Sequence, residues 1–440
     1  MSDHQSETHV QSSSESTVPL RVLVGVGGGI AAFKAAHLVR FFTEAGHHVN
    51  VIPTRSALKF VGAATFEALS GNPVTTDVFD SIDEVQHVRL GQQADLVVIA
   101  PCTADLLARL AQGRADDLLT SSVLVATCPV VVAPAMHTEM WLNPATQANV
   151  ATLRSRGITV LEPAHGRLTG VDTGPGRLPE PDHIGELAVG VAERPRLFTH
   201  NLSGQRVLIS AGGTHEPLDP VRYLGNASSG RQGFALADVA AQRGANVTLV
   251  AGFTEDLPVP SGARVIRVKT AREMKEVMDE QARQADVVIM AAAVADYRPA
   301  DVAATKLKKG GESQLDRLAL EENPDILAGL VRQRKEGSLA EETVLVGFAA
   351  ETGDESASPL DHARVKLLKK GCDALVANAV GENKVFGKKT SSAWVLMPEE
   401  STGDGESARE AEVVAEIPEA SKLLVAASIW DSIASELLGV

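Results

Sequence analysis

Short apolar runs rich in Val, Leu, Ile and Ala alternate along this chain with stretches of helical periodicity, and the alternation starts afresh halfway. Residues 21–26 read Arg-Val-Leu-Val-Gly-Val, followed by Gly27-Gly28-Gly29 and a helical pattern over 30–45. Residues 206–210 read Arg-Val-Leu-Ile-Ser, followed by Ala211-Gly212-Gly213-Thr214 and a helical pattern over about 232–243. Each helix ends at a glycine, Gly46 or Gly244, as a helix C-terminus often does. Each then feeds another apolar run, at 48–52 or 246–250. The echo continues in Ala94-Asp-Leu-Val-Val-Ile-Ala100 and Ala285-Asp-Val-Val-Ile-Met-Ala291. Apolar runs without alternation, separated by helices, predict parallel strands buried on both faces. The fold class is therefore α/β, with two doubly wound domains.

Residues 1–19 are polar and rich in Ser, Gln, Glu and His, and read as a disordered tail rather than a signal peptide. The first domain is expected over 20–194, a linker over 195–204 and the second domain over 205–440. Polar stretches at 352–359 and 398–410 read as surface loops.

At 440 residues the chain is too long for one ordinary core. Its aromatic content of 4% leaves the cores to aliphatic side chains. A formal charge of −15 argues against a general nucleic-acid surface, which needs clustered Lys and Arg. No apolar run reaches membrane-spanning length; 123–136 comes closest but holds Thr127, Pro129 and Pro134. Cys102, Cys128 and Cys372 fit neither a metal spacing nor a disulfide framework, so a reducing cytoplasm is the simplest expectation.

Both glycine turns could place backbone N–H groups against phosphate at a helix N-terminus. Neither is the dinucleotide fingerprint. Ile30 stands where Gly25-Val-Gly27-Gly28-Gly29 would need its last glycine, and Pro53-Thr54-Arg55 supplies no carboxylate for a ribose. A nucleotide-linked oxidoreductase is the weaker reading.

The first half carries Gly28-Gly29-Ile30-Ala31-Ala32-Phe33-Lys34, then His87, then Ala100-Pro101-Cys102-Thr103-Ala104-Asp105. Gly113-Arg114-Ala115-Asp116-Asp117 and Ala133-Pro134-Ala135-Met136-His137 follow. Taken together these segments resemble the FMN-dependent cysteine decarboxylases, in particular phosphopantothenoylcysteine decarboxylase, over about 21–181. The resemblance implies a flavodoxin-like trimeric domain with FMN between subunits, touched by Gly28, Gly29, Ile30, Thr54 and Met136. It also implies oxidation of the substrate's cysteine thiol by FMN, so that CO₂ leaves from a carbon beside an electron sink. His87 falls on the family's active-site histidine; alone it would read as a hydrogen-bonded structural residue. His137 takes the slot of an asparagine that holds the substrate carboxylate, and an imidazole can also donate there. Gly170 aligns with a flap cysteine that many members carry, and neither Cys102 nor Cys128 is a substitute in sequence.

The second half carries the long segment Ser210-Ala211-Gly212-Gly213-Thr214 through Asn226-Ala227-Ser228-Ser229-Gly230. Asp296-Tyr297-Arg298-Pro299, Lys306-Leu307-Lys308-Lys309, Asn323-Pro324-Asp325 and Gly347-Phe348 come later. These resemble phosphopantothenate–cysteine ligase over about 204–378. The resemblance implies a Rossmann-like domain that activates 4′-phosphopantothenate with CTP as an acyl-cytidylate, which cysteine's amine then attacks. It assigns Asn226 to the acyl-cytidylate, Lys306 to the triphosphate, and Asp296, Phe348, Lys366 and Lys370 to the nucleotide, while the turns at Gly212-Gly213 and Ser228-Ser229-Gly230 could supply backbone donors to its phosphates. Asp296 is the one carboxylate assigned to a divalent cation, Mg²⁺. Lys366 and Lys370 are four apart and share one helix face, which could equally be a solvated cationic face.

The resemblances together imply a bifunctional enzyme of coenzyme A biosynthesis, with ligation preceding decarboxylation. Trimeric and dimeric contacts on one chain would close into a larger homo-oligomer, with a dodecamer as the expectation. Its partners would be 4′-phosphopantothenate, cysteine and CTP, with no nucleic acid and no membrane. A flavin-binding regulatory protein without catalysis stays open for the first half, given His137 and Gly170.

Overall fold

The computed structural model describes residues 18–75, 85–167, 173–307, 318–351, 357–379, 390–399 and 410–440. Most of the expected tail, the flap segment with Gly170, Lys308, Lys309 and most of both expected surface loops lie outside the described residues.

The N-terminal half holds β1 (Arg21–Val26), β2 (His48–Pro53), β3 (Leu96–Cys102), β4 (Val130–Pro134) and β5 (Thr159–Val160). They pair in parallel in the order β2-β1-β3-β4-β5, the flavodoxin order. Every residue of β3 and β4 is buried, which is why these segments read as unbroken apolar runs. The covering helices are α1 (Phe33–Glu44), α2 (Ala63–Ser70), α3 (Gln86–Gln93), α4 (Ala104–Ala111), α5 (Leu118–Val125), α6 (Thr138–Trp141) and α7 (Pro144–Ser155). Side chains set several starts: Thr103 accepts the Leu106 N–H at α4, and Asp117 forms a capping box with Thr120 at α5. An antiparallel pair, β6 (Ala164–Arg167) and β7 (Thr173–Arg177), then leads into α8 (Pro181–Glu193).

The C-terminal half has β8 (Arg206–Ala211), β9 (His215–Pro217), β10 (Tyr223–Gly225), β11 (Asn246–Ala251), β12 (Ala263–Arg267) and β13 (Val287–Met290). It continues with β14 (Tyr297–Pro299), β15 (Leu320–Glu322), β16 (Val344–Glu351), β17 (Ala374–Ala379), β18 (Thr390–Pro398) and β19 (Ala411–Ser421). The main sheet runs β12-β11-β8-β13-β16-β17-β18-β19. Its six parallel strands, numbered within this half, follow 3-2-1-4-5-6, the Rossmann order, and β18 and β19 extend it antiparallel. The Rossmann order is thus present without the dinucleotide fingerprint, so fold and ligand separate here. The helices are α9 (Arg231–Gln242), α10 (Ala271–Ala282), α11 (Ile326–Lys335), α12 (Pro359–Lys370) and α13 (Lys422–Ile433). Two doubly wound domains are what the repeated pattern predicted.

Helices α8, α9 and α13 pack the halves together through one continuous hydrophobic core. Leu197 and Leu202, in the stretch expected as a linker, are fully buried. Polar groups cross the same seam or brace it from the C-terminal side. His183 Nε2 lies 3.0 Å from Asp238 Oδ1, and Arg243 Nη2 lies 2.8 Å from Asp431 Oδ1. Arg243 also donates to the Leu197 and Ala427 carbonyls, Arg194 pairs with Asp431, and Trp430 donates to Leu236 O at 2.9 Å. Among the described residues no helix is long and apolar enough to cross a membrane.

Candidate active sites

In open parallel sheets ligands bind beyond the carboxyl ends of the strands, where the strand order reverses. In the first half that edge is formed by the turns after β1, β2, β3 and β4. Gly28 and Gly29 follow β1, and a single helical turn, Ile30–Ala32, leads into α1. A Cβ on Gly28 would stand 2.4 Å from Ser56 Cβ, so the turn closes on the chain after β2 only because that residue is glycine. Thr54 donates its N–H to Val26 O at 2.9 Å and accepts the Ala57 N–H on Oγ1 at 3.2 Å. Met136 follows β4 and donates its N–H to Gly176 O at 3.0 Å, which docks β7 against the motif. Lys34 and Arg177 both pair with Glu180, fixing the same hairpin beside α1.

His87 is the second residue of α3, a helix that runs into β3, so its start lies at the carboxyl edge. Its Nδ1 is buried and has no hydrogen-bond partner among the described residues. His137 is the N-cap residue of α6 and is exposed, and it gives α6 no side-chain cap. Ile30 and Phe33 are 63% and 54% exposed. A glycine cradle, an unpartnered imidazole nitrogen and uncovered apolar side chains fit a planar phosphorylated group such as FMN. Cys102 is fully buried, and burial pushes its thiol far above the usual range, so it offers no thiolate.

In the second half a cleft of about 670 Å³ opens at the corresponding edge. It is lined by Asn226, Ser228, Ser229, Asp296, Phe348, Lys366 and Lys370, seven of the expected residues. Asn226 donates to Val294 O at 3.2 Å, which places it across from β13. Lys366 and Lys370 share one face of α12, as their spacing predicted. Lys366 Nζ lies 3.0 Å from Glu351 Oε1 at the end of β16, and Lys370 pairs with Asp325, the N-cap of α11. Burial raises Asp325, but the hydrogen bond from Lys370 brings it below the usual carboxylate value on balance. Asn323 donates to Ala295 O at 2.8 Å and holds the Asp296 turn against α11.

Three expected residues are placed elsewhere. Gly212 and Gly213 lie buried behind the cleft wall, and Gly213 donates its N–H to Phe253 O at 2.9 Å. That N–H is thereby committed to the protein and not to a phosphate. Lys306 is exposed and does not line the cleft. Its segment is tied to the β9–β10 region instead: Leu307 N–H donates to Asp219 Oδ2 at 3.2 Å, and Arg222 donates to Leu307 O at 2.8 Å. Arg222 holds Asp219 far below the usual carboxylate range against the opposing effect of burial. Glu216 accepts the Ala271 N–H at 2.8 Å and is structural. Sequence reasoning missed Asp325 and Glu351 as partners of the lysines, although Asp325 stands inside a motif already quoted and Glu351 lies three residues after Phe348.

A flavodoxin-type half and a Rossmann-type half, each with a site at its carboxyl edge, define a two-site α/β protein. Residues 10–193 match the Flavoprotein family, and residues 202–437 match the family described as DNA/pantothenate metabolism flavoprotein C-terminal domain. The chain is 57% identical to the coenzyme A biosynthesis bifunctional protein CoaBC of Mycolicibacterium smegmatis, over 95% of this chain and 98% of that one. It is 56% identical to the protein of the same description from Mycobacterium tuberculosis (96% and 98% covered). Identity is 42% to the one from Vibrio parahaemolyticus (86% and 92% covered). The chain belongs to the family of bifunctional coenzyme A biosynthesis proteins, enzymes that join a decarboxylase half to a ligase half.

Proposed function

We propose that the C-terminal cleft couples 4′-phosphopantothenate to cysteine at the expense of CTP, and that the N-terminal edge decarboxylates the product to 4′-phosphopantetheine with FMN. The observation that carries the reading is the meeting of Asn226, Asp296, Phe348, Lys366 and Lys370 in one cleft. A carboxylate resists attack by an amine until it carries a leaving group, and transfer to the α-phosphate of CTP supplies one. Lys366 and Lys370 neutralise the charge that gathers on phosphate oxygens, and Asn226 holds the activated acyl group. Asp296 is the carboxylate for Mg²⁺, which suits an ion held mainly by phosphates with one or two protein oxygens. Among the described residues no group of three or more His, Cys, Asp or Glu forms a closed metal site.

In the N-terminal half Gly28, Gly29, Ile30, Thr54 and Met136 hold FMN. When bound, FMN supplies a temporary hydride acceptor that lets the carboxylate leave as CO₂. His87 moves the thiol-side proton, and His137 donates to the substrate carboxylate. The exposed Ile30 and Phe33 are covered by a neighbouring subunit in a trimer. Lys306, lying outside its own cleft, serves the cleft of a second copy in a ligase dimer. Trimer and dimer contacts together give a dodecamer working in the cytoplasm.

The test is to incubate the protein with 4′-phosphopantothenate, cysteine, CTP and Mg²⁺, following CMP, CO₂ and thiol products by mass spectrometry. 4′-Phosphopantetheine with CMP and CO₂ is expected. Phosphopantothenoylcysteine accumulating without CO₂ would leave only the ligase standing, and a monomer in light scattering would remove the assembly.

A further inference from the structure

Lys422 is the first residue of α13 and lines the ligase cleft, yet only 8% of it is exposed. The other cations there have carboxylates: Lys366 has Glu351, Lys370 has Asp325, and Arg231 has Glu255 at 2.6 Å. Lys422 has none among the described residues. Burial, reinforced by the charge of Arg231, pushes its pKa down, as expected for an ammonium lacking an anion. A buried cation without a counter-charge is costly, and a site that retains one is arranged for an anion that arrives later.

The first turn of α9 lies beside it. Gln232 Nε2 donates to Lys422 O at 3.4 Å, joining the start of α13 to the start of α9. Gly230 caps α9 with a φ of 76°, a conformation that favours glycine. The first N–H groups of a helix have no partner within the helix, and here Ser228 and Ser229 reach them only at 3.4 and 3.5 Å. The first turn of α9, with the positive end of its dipole, and Lys422 thus line the same cleft from adjoining helix starts. The start of α13 is anchored, because the helix continues to Asp431 and the buried seam with the N-terminal half.

We propose that Lys422 and the first turn of α9 form a phosphate-binding corner of the ligase cleft. The phosphate is either part of the nucleotide's triphosphate or the phosphate of the acid substrate. This rests on the cleft being the ligase site.

The test uses the full-length protein with Lys422→Met, Lys422→Gln and Lys422→Arg. Affinities for CTP and for cytidine are measured by calorimetry, and KM for 4′-phosphopantothenate in steady state. Decarboxylation of supplied 4′-phosphopantothenoylcysteine reports that each variant is folded. Lys422→Met and Lys422→Gln are expected to weaken one phosphorylated ligand by about 10- to 100-fold, with cytidine affinity unchanged and Lys422→Arg close to wild type. Loss confined to CTP places the triphosphate in the corner. A raised KM for 4′-phosphopantothenate with CTP unaffected places the acid's phosphate there. Wild-type values for both ligands, or an equal loss for CTP and cytidine, would overturn the proposal. The ratio of CTP to cytidine affinity is taken within one sample, so partial unfolding of a variant does not imitate the expected result. A wild-type protein that neither binds CTP nor releases CMP would instead remove the ligase reading itself.

Discussion

In the C-terminal half, Asn226, Asp296, Phe348 and the two α12 lysines come from separate segments and meet in one cleft of a single chain. In the N-terminal half, the glycine turn, Met136, His87 and His137 lie along the carboxyl edge of the sheet, with Ile30 and Phe33 uncovered. Both halves use the same device, a parallel sheet whose strand ends bring distant residues to one edge. They differ in what closes the edge. A site for an anionic nucleotide, as proposed for this cleft, needs charge neutralisation, which the two α12 lysines supply within the chain, each held in place by a carboxylate at a neighbouring strand or helix end. A flavin platform needs apolar cover, and at this edge Ile30 and Phe33 are exposed and His87 Nδ1 has no partner among the described residues, a wall left for the proposed second subunit to cover.

The comparison breaks most sharply at its two centres. His87→Ala is expected to slow decarboxylation by about 100- to 10,000-fold, the range for losing a general acid–base group, with ligation at the wild-type rate. Asn226→Ala reverses the pattern and slows ligation by about 100- to 1,000-fold, as for loss of one donor to a developing charge. Each half-reaction is assayed with its own substrate supplied, reading CO₂ for one and CMP for the other. A single substitution that removed both activities would end the description of two independent sites.

Much of this was legible because parallel strands announce themselves. Runs such as 96–102 and 287–290 are apolar at every position, since both faces are covered, and the glycines closing α1 and α9 mark the helix ends. Strand order was not legible. The 2-1-3-4-5 and 3-2-1-4-5-6 orders arise from long-range pairing that no local pattern encodes. The same limit explains why three expected residues lie outside the cleft lining. Gly212-Gly213 looks like a phosphate loop until Phe253, forty residues on in the chain, takes the Gly213 N–H. Lys306 stands in a ligase motif, and a motif carries no information about which face of the fold its residue occupies. Lys422 went unnoticed because its meaning depends on burial and on having no carboxylate partner among the described residues, and neither is written in the sequence around it.

A second way to test the comparison is to ask whether two separate sites also mean two separately stable halves. Arg243 is fully buried at the seam and Asp431, its anion, is partly exposed. Asp431→Ala leaves the guanidinium with carbonyl partners only. Removing one member of a wholly buried pair costs about 3–5 kcal/mol. Solvent access to Asp431 reduces that to roughly 2 kcal/mol here. Because the core is continuous through α8, α9 and α13, urea is expected to abolish ligation and decarboxylation along one transition, shifted to lower concentration in the variant. Decarboxylation that survived after ligation was lost would show that the halves unfold independently.

The smallest expected effect is a pH dependence carried by two histidines near the same seam, and its two arms have opposite signs. His200 is pushed down to about 4 by burial and by the charge of Arg154, against about 6.5 when unfolded. Below pH 6.5 the unfolded chain therefore binds a proton that the folded one does not. The stability His200 contributes is present above pH 6.5 and is lost as pH falls towards 4. His183 behaves in the opposite way. Burial favours the neutral ring, but the carboxylate of Asp238, 3.0 Å from Nε2, attracts the proton, which holds His183 above its ordinary value. Its contribution is complete below pH 6.5 and disappears as pH rises through the folded value. Stability measured by urea unfolding across this range should accordingly include a maximum from these two groups near pH 6.5. His200→Asn should flatten the acid side and His183→Asn the alkaline side. An unchanged acid limb in His200→Asn would mean that the ring is protonated within the fold, and that the stretch between the two halves is open to water.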